Sequence, residues 1–409
     1  MSRPNPSRTV IVAGAGIGGL TAALALAKNG FRVTILEQAT ELLETGAGIQ
    51  LSPNAARVLV SLSLADSIER VAVTPKALLI RSSDGGNLAH MPLGASLSER
   101  YGAPYWVVHR GDLQAVLRDA VQANPDIALK LGTSVEDFVI HGHGVTAACR
   151  HGMDCADETG IALIAADGLW SRLRRKLGHG STPEFGRHMA WRALVPADKA
   201  APILRGANVN LWLGPGGHLV HYPVSAGRFI NIVTIFADES DALRGGGNDR
   251  SWSEPGGREE LLGHFAGGSW CDEAWTVLAL PNRWQKWALY DLPPLRRWGD
   301  GPVTMLGDAA HASLPFLAQG AAMAIEDAAV LADSLARGPD PATAMRGYER
   351  ARRARTARVQ RAARSNGHIY HLDGPQAWAR NMVLRWSSTD RMLGRYEWLY
   401  NWRPGPALR

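Results

Sequence analysis

Glycines 14, 16 and 19 and the carboxylate of Glu37 make the pattern in this chain that ties most directly to chemistry. Gly14-Ala15-Gly16-Ile17-Gly18-Gly19 has glycine at all three positions of a G-x-G-x-x-G turn. In such a turn the first glycine lets the chain bend sharply and the second lets backbone approach a pyrophosphate. The third lets the next helix pack close to the strand. The start of that helix presents unpaired N–H groups and a positive dipole end to the phosphates. An acid about 20 residues further on bonds ribose hydroxyls, and Glu37 has that offset.

The flanking elements fit this role. Val10-Ile11-Val12-Ala13 is a short β-branched strand pattern. Residues 20–28 are rich in Ala and Leu, good helix formers, and Asn29-Gly30 closes the helix. Arg32-Val33-Thr34-Ile35-Leu36 is a second strand ending at Glu37. Residues 10–27 are nearly all apolar over 18 positions, the length of a membrane span. Glycines near the start and β-branched residues ahead of them argue for strand, turn and helix instead.

Residues at other turns are candidates for the same ligand. Glu44 to Gln50 is a second glycine-bearing loop, either running beside the cofactor or simply connecting. Ser52-Pro53 then opens a helix. Arg110 stands just before a helix whose apolar stripe is Leu113, Val116, Leu117 and Ala120. It either reaches a phosphate bidentately or is solvated. Asp167-Gly168 is a turn after the strand-like run 161–164. Gly307-Asp308 follows another buried-strand pattern, and Pro315 to Gly320 opens a long helical run over 321–336.

At 409 residues, 46% hydrophobic and 20% charged, the chain has the composition of a soluble globular protein of two or three domains. Its net charge of +6 favours anionic ligands slightly and does not imply nucleic acid. Three cysteines without a C-x-x-C pair suit a reducing cytoplasm and inert thiols. The polar residues 1–8 contain no apolar signal region. From residue 185 to about 292 short alternating runs and many tryptophans (191, 212, 252, 270, 275, 284 and 287) read as a mostly antiparallel sheet. Those rings either pack a core or wall an apolar pocket. Residues 348–364 carry seven arginines, read as a solvated helix face. The tail from His371, with Trp378, Trp386, Trp398 and Trp402, is partly helical and packs on something.

Three separated signatures together resemble the single-component FAD-dependent aromatic hydroxylases, a family of flavoprotein monooxygenases. They are Gly14 to Gly19 with Glu37, Asp167-Gly168 with Ser171 and Arg174, and Gly307-Asp308 through Gln319-Gly320. The resemblance covers most of residues 8–365. Trp191-Arg192-Ala193-Leu194-Val195-Pro196 and the run Ala318 to Ala328 are most similar to the salicylate hydroxylase and 3-hydroxybenzoate 6-hydroxylase branch.

The resemblance implies an α/β fold: a Rossmann-like FAD-binding domain, an inserted mostly antiparallel β-sheet substrate domain and a C-terminal helical tail. The first would comprise residues 1–75, 102–180 and 293–365, the second 76–101 and 181–292, the tail 366–409. It implies non-covalent FAD, with Gly14, Gly16 and Gly19 at the pyrophosphate, Glu37 at the adenosine ribose and Arg110 at the phosphates. Asp308 and Gly320 would serve the ribityl or pyrophosphate side, and Asp167 both FAD and NAD(P)H. Pro315, Gln319 and Gln50 would lie near the isoalloxazine ring. The chain departs from the family at Ala318, where glycine is commoner, and at Ala322, where Asn is frequent.

The implied reaction is reduction of the flavin by NADH or NADPH, addition of molecular oxygen at C4a, and attack of the resulting hydroperoxide on a small phenolic or N-heterocyclic ring. A general base that makes the phenolate is useful. His218, His221 and Tyr222 share a strand that by resemblance faces the flavin. His218 and His221 alternate in facing, and His221 with Tyr222 is the candidate pair. No metal, nucleic acid or membrane span is expected, and the chain is a monomer or homodimer. Decarboxylating hydroxylation, epoxidation and a non-catalytic flavin redox sensor remain as alternatives.

Overall fold

The computed structural model describes residues 8–42, 47–238, 253–266 and 270–406. Residues 1–7, Glu44 to Gly46 of the second glycine loop, and Trp252 lie outside them.

Strands buried on both faces must pack in a covered sheet, and the most apolar runs do so. Thr9–Ala13 sits between Arg32–Leu36 and Ala162–Ala165, parallel to both. Ile127–Lys130 extends the sheet on one side and Val303–Met305 on the other, again in parallel. Gly299–Asp300 adds a short antiparallel edge. The helix Ile17–Lys28 is apolar almost all round because it is buried almost all round. It packs between this sheet and the helices Arg110–Gln122 and Gly320–Arg337. That burial accounts for the long apolar run at 10–27. Among the described residues no helix is long and apolar enough to cross a membrane.

The second sheet has eight strands. In order they are Ser253–Gly257, Arg283–Asp291, Glu184–Pro196, Phe229–Ala237, Gly217–Val224, Asn208–Gly214, Ala77–Ser82 and Asn87–Pro92. All pairings are antiparallel except Asn208–Gly214 with Ala77–Ser82. Strand alternation gives it two unlike faces. Trp191, Trp212, Leu219, Ile232 and Phe236 point outward beneath the helices Arg258–Phe265 and Asp272–Ala279. Arg192, His218, Val220, Tyr222, Val233 and Ile235 point inward. Trp191, Trp212, Trp270, Trp275 and Trp284 therefore fill a core, and no described tryptophan lines the cavity described below.

Pro341–Tyr370 is one helix of 30 residues, about 45 Å long. Its arginines are not all solvated. Arg352 is 1% exposed, Arg355 is largely covered, and Arg350, Arg358 and Arg361 face out. The expectation of a solvated basic face fails at Arg352 because two carboxylates of the neighbouring helix lie under it. Three short helices follow: Gly374–Arg385, Thr389–Gly394 and Glu397–Tyr400. Arg355 donates to the carbonyls of Trp398 (2.8 Å) and Leu399 (2.9 Å), which ties the tail to the long helix.

Candidate active site

The glycine turn is built as close contacts require. Gly14 has φ +107°, and a Cβ there would fall 2.4 Å from the Ala166 carbonyl oxygen. A Cβ on Gly19 would fall 2.0 Å from the Gly14 carbonyl oxygen. Gly16 faces open space and lines a cavity of about 340 Å³. Glu37 stands behind the turn. Its Oε2 accepts the Ala15 N–H at 2.7 Å and its Oε1 the Ala39 N–H at 2.8 Å.

From Gly16 the cavity runs past Arg110 to Gly307, Asp308 and the segment Pro315–Gly320, and ends on the inner face of the large sheet. A buried polar network holds these walls. Gln319 Nε2 donates to Ser52 Oγ (2.9 Å), and its Oε1 accepts from Asn54 Nδ2 (3.1 Å). Asn54 Nδ2 also reaches Glu326 Oε1 at 2.7 Å. Asp327, the next residue, accepts the Gly307 N–H at 3.0 Å and pairs with His311 at 2.5 Å. Arg352 bridges Glu326 and Asp327 at 2.5 and 2.6 Å. Burial pushes the Asp327 carboxyl up, but His311 and Arg352 outweigh it and hold it at about 2.

Gly48–Leu51 forms a third wall, paired with Trp106–His109. Asn231 Oδ1 accepts the Gly48 N–H at 2.7 Å, and a Cβ on Gly48 would fall 2.6 Å from the Tyr222 ring. Tyr105 Oη donates to Gln50 Oε1 at 2.6 Å. Gln50 also bonds the Tyr222 hydroxyl, whose ionisation burial pushes well up, against Arg192 and Gln50. The phenol therefore stays protonated. His218 Nδ1 is 2.8 Å from His371 Nε2. Burial, reinforced by His371 and His188, holds the His218 imidazole well below its ordinary value, so it is neutral.

Of the residues expected at the site, Gly16, Gln50, Arg110 and Tyr222 line the cavity, and so do Asp308, Pro315, Gln319 and Gly320. Gly14, Gly19 and Glu37 shape the turn from behind. Asp167 points elsewhere. Its Oδ2 accepts the N–H groups of Arg172 (2.9 Å) and Leu173 (3.2 Å) at a helix start, and its Oδ1 is buried without a partner. His221 is a correction. It lies on the outer face, its ring stacked 6.5 Å from Trp212, and lines no part of the cavity. Alternation along Gly217–Val224 turns it away and turns His218 and Tyr222 inward.

Arg192 was not singled out from sequence. It lines the cavity beside Tyr222 with its side chain over Trp287, 5.5 Å from the ring centre. Its Nε is buried without a partner, and no carboxylate pairs with it among the described residues. Burial first, then the charge of Arg110, pulls its pKa down to about 10. A half-buried guanidinium whose Nε has no partner, and which has no counter-ion among the described residues, is a receptor for an anion. The residue belongs to an alternating strand, and only the side its neighbours take could have flagged it.

The profile of the FAD binding domain family matches residues 7–254 and 275–363. Over 402 residues the chain is 36% identical to the 3-hydroxybenzoate 6-hydroxylase of Polaromonas naphthalenivorans (strain CJ2), covering 98% of this chain and 97% of that one. The chain belongs to the FAD-dependent aromatic hydroxylases. This hydroxylase is also 38% identical over 401 residues to a 3-amino-4-hydroxybenzoate 2-monooxygenase of Streptomyces platensis, covering 97% of each. A salicylate hydroxylase in complex with its substrate superposes with a TM-score of 0.80 at 27% identity, covering 98% of this chain and 97% of that one. FAD is the cofactor, and NADH or NADPH is the reductant. The cavity fits FAD: the missing Cβ of Gly16 leaves room for a pyrophosphate, and the cation Arg110 stands on the same wall.

Proposed function

We propose that this hydroxylase adds one oxygen atom to a small ring bearing both a phenolic hydroxyl and a carboxylate, a hydroxybenzoate or a close N-heterocyclic counterpart. The observation that carries this reading is Arg192, a cation on the cavity wall without a carboxylate partner among the described residues. The names of the relatives, which act on 3-hydroxybenzoate and 3-amino-4-hydroxybenzoate, agree with it.

When bound and reduced, FAD supplies activated oxygen for transfer to the ring. In our reading Gly14, Gly16, Gly19 and Arg110 hold its pyrophosphate, Glu37 its adenosine ribose, and Asp308 and Gly320 its ribityl side. Asp167 supports the turn beside it. Pro315, Gln319 and Gln50 border the flavin ring. Arg192 takes the substrate carboxylate. The Tyr222 hydroxyl, kept protonated by burial and steadied by Gln50, bonds the substrate oxygen. His218 accepts the phenolic proton at Nε2, since Nδ1 is engaged by His371. Val220, Val233 and Ile235 make the wall around the ring apolar and keep water from it. A cytoplasmic location, read from three cysteines without a C-x-x-C pair, and a monomer or homodimer complete the reading.

The test is NAD(P)H oxidation by the FAD-loaded enzyme with a panel of hydroxybenzoates and hydroxypyridines, with products identified by mass. Stimulated oxidation with a product one oxygen heavier is the expected result. Loss of CO₂ alongside the gain would select the decarboxylating reaction. FAD binding with no response to any ring would sink the proposal.

A further inference from the structure

His371 belongs to the tail, outside the two sheets, yet it reaches the cavity's own histidine. It directly follows the helix Pro341–Tyr370, and its Nε2 lies 2.8 Å from His218 Nδ1. The Gly216 N–H donates to the His371 carbonyl at 3.3 Å, which fixes the backbone against the strand carrying His218. The rings of Phe316 and Tyr370 close the sides, 5.6 Å from His371 and 5.4 Å from His218. On the other side His188 lies 5.1 Å from His371, ring centre to ring centre. The Gly186 carbonyl accepts from His188 Nδ1, which leaves His188 Nε2 as an acceptor. His371 Nδ1 is buried and has no partner among the described residues. Three imidazoles thus lead from the cavity toward the half-buried His188.

We propose that His371 is the second station of a proton path that keeps His218 neutral as it takes the phenolic proton. This rests on the substrate reading above. The phenol O–H bond breaks as the proton moves to His218 Nε2. The proton on His218 Nδ1 moves to His371 Nε2, and the proton on His371 Nδ1 passes outward to His188 or water. One proton enters the chain and one leaves, no electrons move, and a phenolate remains in the cavity; the same transfers in reverse return a proton to the product oxygen and restore both tautomers.

Burial explains why a path is needed. It holds His218 far below its ordinary value and His371 at about 3, with His188 and Arg380 adding to the effect on His371. No carboxylate pairs with any of the three imidazoles among the described residues. Arg380, whose guanidinium donates to the carbonyls of Ile369 and Tyr370, is the charge facing His371 from the tail. Neither histidine can store a proton as a stable cation, so each has to hand it on. A neutral imidazole does this by accepting at one nitrogen and releasing at the other.

His371→Gln separates relay from packing. A glutamine side-chain oxygen still accepts from His218 Nδ1 but cannot pass a proton through. The FAD-loaded wild type, His371→Gln and His371→Ala are mixed in stopped flow with 3-hydroxy-4-nitrobenzoate below the pKa of its phenol, and phenolate absorbance is followed. The pH profile of turnover with the accepted ring is recorded for each. The relay predicts that both variants form phenolate about tenfold or more slower, with unchanged FAD affinity and melting temperature, and that added imidazole restores part of the rate in His371→Ala. A His371→Gln enzyme with the wild-type rate and pH profile overturns the relay alone. A wild type that neither ionises the probe nor turns over any ring overturns the relay together with the substrate reading.

Discussion

Arg352 Nε donates to Asp327 Oδ1 across 2.6 Å, and neither side chain reaches solvent. Through Asp327 this arginine holds Gly307, and through Glu326 and Asn54 it holds Gln319. Two walls of the cavity therefore hang from a helix that does not line it, with Arg352 bridging both carboxylates and Arg355 also pairing with Glu326 at 2.6 Å.

Replacing Arg352 with Met leaves two carboxylates buried without their bridging charge. We expect a loss of about 3–5 kcal/mol in urea unfolding and weaker FAD retention in the same variant. Arg350→Ala, an exposed neighbour, is expected to change stability by less than about 0.5 kcal/mol. Equal effects of the two would mean that the buried network contributes nothing.

Arg192→Gln is expected to raise KM for a carboxylated ring about 10- to 100-fold and to leave a plain phenol unaffected. FAD affinity is expected to stay unchanged. The folded pKa of Arg192, about 10, lies below its ordinary 12.5, so its charge opposes folding below pH about 10 and that penalty fades between about 10 and 12.5. Steady-state kinetics with paired acid and phenol substrates checks the first point. A ring-free Arg192→Gln protein no less stable than the wild type checks the second.

His221 and His218 are expected to respond in opposite ways to mutation. His218→Gln should lower kcat by about 10²-fold or more, whereas His221→Leu should leave kcat nearly unchanged. Burial first, then Arg81, holds His221 at about 3 against an ordinary 6.5. As pH falls from 6.5 toward 3 the unfolded chain binds a proton that the native site refuses, so stability falls. His221→Leu removes one such group and should flatten the slope by about 1.4 kcal/mol per pH unit in that window. Urea midpoints across the window would show an unaltered slope if His221 is protonated in the native state.

Ala318 adopts φ +52° at the cavity wall, a left-handed conformation that costs a residue with a Cβ about 1–2 kcal/mol. Ala318→Gly removes the strain but adds freedom to the unfolded chain, about 0.4–1 kcal/mol. The expected net gain is about 0.5–1 kcal/mol, seen as a higher melting temperature. A lower melting temperature would show that the Ala318 methyl packs favourably.

The glycine turn, the strand before it and Glu37 were legible because their residue types and spacing fall within one short stretch of chain. The close contact of Gly19 is with Gly14, five residues back, whereas that of Gly14 is with Ala166 at the end of a neighbouring strand, so only the first is local. The sheet domain was legible as alternating strands. Which of its residues face the cavity was not. One step along Gly217–Val224 exchanges His221 for its neighbours, and the register against Asn208–Gly214 and Phe229–Ala237 sets the choice.

The sequence alone determined the buried apolar strands and the glycine turn, since an apolar run and a glycine spacing are properties of short stretches of chain. Only the tertiary structure decided which side chains stand at the far end of the cavity. Arg192, His218 and His371 lie on three segments separated by long stretches of chain and meet through sheet registry and the docking of the tail. Arg352 is likewise set apart from the other arginines of its helix by the carboxylates packed beneath it. Charge and exposure are properties of neighbours in space, and one-dimensional spacing does not carry them.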